Sequence, residues 1–179
     1  MQKNRIIITG GPGTGKSSVI KHLEALGFAC MHEVSREITL QAQKEGIEQL
    51  FLKDPVLFSR KLMEARIQQH QEVKNIDSPT VFLDRGLPDV IAYMDYFGTS
   101  YPSVFPDSCK NFTYDHVFIL PPWKEIYLTD NERYENFEQA EEIQNYLEKT
   151  YLTYGYSPLE VPKDTIERRT EFILNHLSL

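Results

Sequence analysis

Short apolar runs alternate along the chain with longer stretches in which apolar residues return every three or four positions. The runs at 5–9, 28–31, 80–83 and 116–120, and a weaker one at 157–161, have strand character. The stretches between them read as helices at 17–26, 35–44, 55–74, 88–97, 136–154 and 165–177. In the first helix Val19, Ile20, Leu23 and Leu26 share a face, and Gly27 follows as a stop. Asp54 and Pro55 supply a cap and a first-position proline for the third. In the fifth, Phe137, Ala140, Ile143, Leu147, Tyr151 and Tyr154 keep one face apolar. Strands that alternate with helices predict an α/β fold, a parallel sheet covered on both faces. There is no repeat, linker or low-complexity tract, so residues 1–179 read as one domain.

Composition narrows the class. Of 179 residues, 41% are hydrophobic and 25% charged, which is globular rather than disordered. The net charge of −7 argues against a general nucleic-acid binder. Most of the acidity is local: residues 123–150 hold Glu125, Asp130, Glu132, Glu135, Glu138, Glu141, Glu142 and Glu148 against Lys124, Arg133 and Lys149. That stretch reads as a solvated helix face and does not argue against phosphate binding elsewhere. No apolar run approaches the ~20 residues that cross a bilayer, so no membrane insertion is expected. The N-terminus reaches Gly10 after Ile6-Ile7-Ile8 and Thr9, too soon for a secretory signal. Cys30 and Cys109 make no disulfide framework. Together these predict a cytoplasmic protein.

The chemistry starts at Gly10-Gly11-Pro12-Gly13-Thr14-Gly15-Lys16-Ser17, a G-x-x-x-x-G-K-[ST] phosphate loop between an apolar strand and an amphipathic helix. Glycines let backbone N–H groups close on a polyphosphate, and the helix that follows turns its positive end toward it. Lys16 is placed to reach the β- and γ-phosphates, and the Ser17 hydroxyl to ligate Mg²⁺. The strand Val81-Phe82-Leu83 ends in Asp84, the second carboxylate expected near the metal. Arg85 follows, where many motor ATPases carry a water-activating glutamate. That favours transfer to a bound acceptor over hydrolysis. No [NT]-K-x-D tetrapeptide for guanine occurs, and Asp95-Tyr96-Phe97-Gly98 falls at a helix end.

The acceptor side is expected after the second strand, where strand ends of a doubly wound sheet line the ligand crevice. Glu33 sits there with Arg36 one turn on. Glu33 can accept a proton from an acceptor hydroxyl or bind one, and Arg36 can hold an anion. The base is Glu33 or Asp84. Arg133, in a lid-like segment at about 123–154, would close over the transferring group.

The segments ITGGPGTGKS, HEVSREI, FLDRGLPDVIAY and YLEKTYLTYGYSPLEVP resemble the small AAA-domain ATPase/kinase family of P-loop proteins, akin to the ribosylnicotinamide kinases. The resemblance covers nearly the whole chain. It implies a nucleoside-monophosphate-kinase-like P-loop NTPase fold, with a five-stranded sheet of order 2-3-1-4-5 and a helical lid. It implies ATP or GTP with Mg²⁺ at Gly11, Pro12, Gly13, Thr14, Gly15, Lys16, Ser17 and Ser18. It implies an acceptor pocket near Glu33, Arg36, Asp84 and Arg85, with Arg133 in the lid. The expected function is Mg-ATP-dependent phosphoryl transfer to a small hydroxyl-bearing acceptor, nucleoside-like or ribosyl-cofactor-precursor-like. The alternative is a nucleotide-binding module that hydrolyses slowly and regulates a protein or lipid partner.

Overall fold

In the computed structural model, residues 3–47, 50–127 and 136–179 are described. Five strands form one sheet: β1 (Asn4–Thr9), β2 (Ala29–Met31), β3 (Thr80–Asp84), β4 (His116–Ile119) and β5 (Leu159–Glu160). Their order is β2-β3-β1-β4-β5 and every pairing is parallel. This is the order the family resemblance implied.

Strand periodicity explains the two-sided core, because successive side chains point to opposite faces. Ile6 and Ile8 pack on one side with Phe82 and Phe118, under α1 (Lys16–Ala25) and α8 (Ile166–Leu177). Ile7, Val81, Leu83 and Val117 pack on the other. There they meet α4 (Pro55–Glu72), α5 (Leu87–Tyr96), α6 (Val104–Asn111) and Tyr151 of α7 (Phe137–Thr153). Ile6, Ile7 and Ile8 are fully buried, worth about 2 kcal/mol each by area removed from water. A continuous apolar run of this kind belongs to a central strand with helices on both faces.

The caps behave as their residue types dictate. Asp54 accepts from the Leu57 N–H at 2.9 Å, and Asn136 and Gln139 form a reciprocal box at the start of α7. α2 spans Ser35–Lys44, as its pattern predicts. Two helices carry no expectation from periodicity: α3 (Leu50–Lys53) and α6. α3 is a single turn, and Pro106 lies inside the first turn of α6, where its missing N–H costs no intrahelical bond. The exposed outer face of α7 carries Glu138, Glu141 and Glu142, so this acidity is solvated. No helix among the described residues is long and apolar enough to cross a membrane.

Candidate active site at the strand ends

Register brings the site together. Ile8 of β1 pairs with Asp84 of β3, so Asp84 stands level with the entrance to the phosphate loop. Met31 of β2 pairs with Leu83, so Glu33 and Arg85, each two residues further on, emerge side by side.

The loop has the backbone that its glycines permit. Gly13 and Gly15 take φ values of 70° and 84°, in the left-handed region. Gly15 is the residue from which α1 departs. The Thr14 hydroxyl donates to the Gly11 carbonyl at 3.1 Å, and Lys16 Nζ reaches the same oxygen at 3.3 Å. Burial, with Arg85 adding to it, lowers the Lys16 pKa to about 8, against the pull of Asp84 and Glu33. An anion beside Lys16 would reverse that effect. Ser17 and Ser18 are exposed in the first turn of α1.

Arg169 of α8, 2% exposed, supports the loop from below. Its Nη2 donates to the Thr14 carbonyl at 2.9 Å, and its guanidinium lies 5.9 Å from the ring centre of Trp123. The ring of Tyr127 lies over Gly13, where any side chain would collide with it, and meets Phe137 edge-on.

Asp84 is 5% exposed, and its Oδ1 is buried without a hydrogen-bond partner. Burial raises its pKa, and neighbouring Glu33 adds to this, while Lys16 and the arginines oppose it. A buried carboxylate oxygen with no protein donor is costly unless a ligand completes it. A hard cation that keeps most of its waters fits this oxygen together with the exposed Ser17 hydroxyl. Among the described residues, no three His, Cys, Asp or Glu side chains form a protein-only metal cage.

Glu33 is the opposite case. Its Oε1 accepts from the Val34 and Ser35 N–H groups at 3.1 and 3.2 Å and from Arg66 Nη2 at 2.9 Å. Its Oε2 accepts from Arg85 Nε at 2.7 Å. Burial works against the charge, but Arg66 and Arg85 outweigh it and hold the pKa at about 2. Arg85 also donates to Asp89 Oδ1 at 3.1 Å and to the Tyr93 hydroxyl at 3.4 Å. Its pKa is raised: burial opposes the charge, and Tyr93, Glu33 and Asp89 overcome it.

The structure therefore brings Lys16, Glu33, Asp84 and Arg85 into one electrostatic unit. Arg36 is exposed in the first turn of α2. Arg133 lies outside the described residues. Sequence reasoning gave no site role to Arg66, Asp89 or Arg169, and placed Tyr151 only on the apolar face of its helix. The arginines carried a periodic signal: Arg66 recurs four residues after Leu62 on the buried stripe of α4, and Arg169 four before Ile173 on that of α8. An arginine on an apolar stripe has a buried partner or is misplaced.

A phosphate loop, an acidic strand end and sheet order 2-3-1-4-5 together define a P-loop kinase-type fold. The chain belongs to an AAA domain family, whose model matches residues 5–169. No curated protein sequence matches it. Among solved structures, deoxyadenosine kinase from M. mycoides with products dCMP and a flexible dCDP is similar at 20% identity and TM-score 0.72. That match covers 97% of this chain and 98% of the other. The same kinase with dATP gives TM-score 0.71 at 20% identity, over 98% and 100% of the two chains. NadR protein in complex with NR gives TM-score 0.75 at 14% identity, over 98% of this chain and 50% of that one. At these identities the likeness is one of fold.

Proposed function

We propose that the protein transfers the γ-phosphoryl group of ATP to the hydroxyl of a small, uncharged, nucleoside-like acceptor. The observation that carries this reading is the clamped Glu33 carboxylate beside the phosphate loop. A water-activating ATPase needs a free carboxylate after the strand-end aspartate. Here that position is Arg85, committed to Glu33 at 2.7 Å. The fold neighbours that act on or bind nucleosides and ribosyl compounds agree with an acceptor of that class.

The loop amides, with Lys16, would hold the phosphates, and Arg169 would keep the loop in shape through Thr14. Ser17 and Asp84 would hold Mg²⁺, which when bound supplies charge neutralisation at the phosphate oxygens. Oε2 of Glu33 has a lone pair left to accept the acceptor O–H. A carboxylate with a pKa near 2 is a weak base, so its first task is orientation. The acceptor oxygen bonds to phosphorus, the bond from phosphorus to the bridging oxygen breaks, and ADP leaves. The hydroxyl proton passes to Glu33 late, once bonding to phosphorus has made it acidic, as a loose transition state allows.

The test is ADP release over a panel of nucleosides, ribosyl cofactor precursors, nucleoside monophosphates and sugars. Turnover that requires a neutral acceptor and is lost in Lys16→Ala supports the reading. Slow release that ignores the acceptor favours a nucleotide-binding module instead.

A further inference from the structure

Asp89 is the group in this region whose chemistry the proposed reaction leaves unused. It is 1% exposed at the start of α5 and accepts four hydrogen bonds. Oδ2 takes the Gly86 N–H at 2.8 Å and the Tyr151 hydroxyl at 2.5 Å. Oδ1 takes the Thr9 hydroxyl at 2.5 Å and Arg85 Nη1 at 3.1 Å. A helix start needs only the first of these bonds. The other three tie β1 and α7 to the arginine that grips Glu33.

The charge count of this buried set is even. Arg66 and Arg85 supply two positive charges, and Glu33 and Asp89 two negative ones. Each nitrogen of Arg85 makes one hydrogen bond, to Glu33, Asp89 and Tyr93. Arg66 donates Nη1 to the Gly86 carbonyl and Nη2 to Glu33, and its buried Nε has no partner. A phosphate is bound well by a guanidinium that offers two parallel N–H groups and a net positive field. Paired one for one with Glu33 and Asp89, the two buried guanidinia present no net positive field. Arg36 is exposed on α2, where solvent screens its charge.

We propose that Asp89 is a specificity-determining residue: its buried charge, acting through Arg85, closes the acceptor pocket to phosphorylated acceptors and leaves it open to neutral hydroxyl compounds. This rests on the acceptor pocket assigned above. Asp89 does not touch the acceptor. Without its charge, the set carries one net positive charge.

The experiment uses the full chain loaded with Mg²⁺ and a non-hydrolysable ATP analogue, so that the phosphate loop is filled. Calorimetry measures binding of four nucleosides and of the 5′-monophosphate of each, to wild type, Asp89→Asn and Tyr151→Phe. Wild type is expected to prefer the nucleoside at least tenfold. Asp89→Asn should shift that ratio at least tenfold toward the monophosphate. Tyr151→Phe removes a hydrogen bond from the same carboxylate but no charge, so it should lower stability and leave the ratio unchanged. A ratio equal in all three proteins overturns the specificity assignment and leaves the kinase reading standing. Wild type that binds the monophosphate as tightly as the nucleoside overturns it whether or not Asp89→Asn folds. Wild type that binds neither compound of any pair overturns the acceptor pocket itself, and the assignment with it.

Discussion

Arg85 Nε stands 2.7 Å from Glu33 Oε2, and Arg66 Nη2 stands 2.9 Å from the other oxygen of the same carboxylate. Arg85 reaches this position from a left-handed backbone, φ 73°, held by its own N–H bond to the Ile8 carbonyl. A non-glycine residue there is strained, and such strain gathers at working sites. Glu33→Gln keeps the shape and removes the charge. Acceptor turnover should fall on the order of a hundredfold, while nucleotide affinity stays within about threefold. Equal losses in both would make Glu33 a structural residue; steady-state kinetics with the acceptor varied, beside nucleotide titration, tells the two apart.

The clamp has a pH signature. The Glu33 pKa lies at about 2 in the fold against an ordinary 4.5, so the folded state binds fewer protons between those values. Its contribution to stability is complete above 4.5 and is lost as pH falls through about 2. By linkage it is worth roughly 3 kcal/mol. Chemical denaturation of wild type and Glu33→Gln should show a stability gap that narrows steadily below pH 4.5. A gap that stays constant contradicts the clamp.

Lys16 has the opposite linkage. Its folded pKa of about 8 is below the ordinary 10.5, so between those values the unfolded chain binds more protons. Lys16 therefore disfavours the unliganded fold below pH 8, and that penalty fades as pH rises toward 10.5. A bound polyphosphate restores the ammonium, so nucleotide binding near pH 8–9 should take up protons. Calorimetry in buffers of different ionisation enthalpy reads that uptake directly, and Lys16→Met should abolish it.

Asp84 carries a buried oxygen without a partner, which costs stability when no ligand is present. Asp84→Asn should melt at the same or a higher temperature than wild type in the absence of nucleotide. Its turnover should be lower by about a hundredfold or more. Stabilisation by added Mg²⁺ and ATP should shrink in the same variant. A variant that melts lower and keeps full Mg²⁺ dependence would place the metal elsewhere.

Arg169 is the buried support of the loop through Thr14. Arg169→Met preserves bulk but not the hydrogen bond. Nucleotide affinity should fall about tenfold, on the order of 1.4 kcal/mol, as expected for a charged donor lost to a neutral acceptor. The pH dependence of binding set by Lys16 should stay where it is. Fluorescence of Trp123, the sole tryptophan, should change in the variant because its ring faces the guanidinium.

Much of this architecture is legible in the sequence, for a physical reason. Ile6-Ile7-Ile8, Val81-Phe82-Leu83 and the phosphate loop are local patterns, and local patterns determine local structure. Strand order followed from the family resemblance rather than from periodicity, because pairing partners are distant in the chain. Single-turn α3 and the proline-containing α6 have too few periodic positions to be read. Glu33 and Asp84 were readable as strand-end acids. Their contrast was not, because it depends on Arg66 arriving from α4, 33 residues away from Glu33. Asp89 was visible within Asp84-Arg85-Gly86-Leu87-Pro88-Asp89, yet its bond to Tyr151 spans 62 residues. Gly86 belongs to the same long-range packing: a methyl group there would meet the Tyr151 hydroxyl at 2.9 Å.

The central claim is that this site moves a phosphoryl group to a bound acceptor rather than to water. ATP labelled in its γ-phosphate, incubated with Mg²⁺, wild-type protein and a panel of neutral nucleosides and ribosyl compounds, tests it most directly. The account predicts that label appears in an organic phosphate ester, that its formation requires one acceptor class, and that Lys16→Ala forms none. Label found only in inorganic phosphate, at a rate that no acceptor changes, would contradict it.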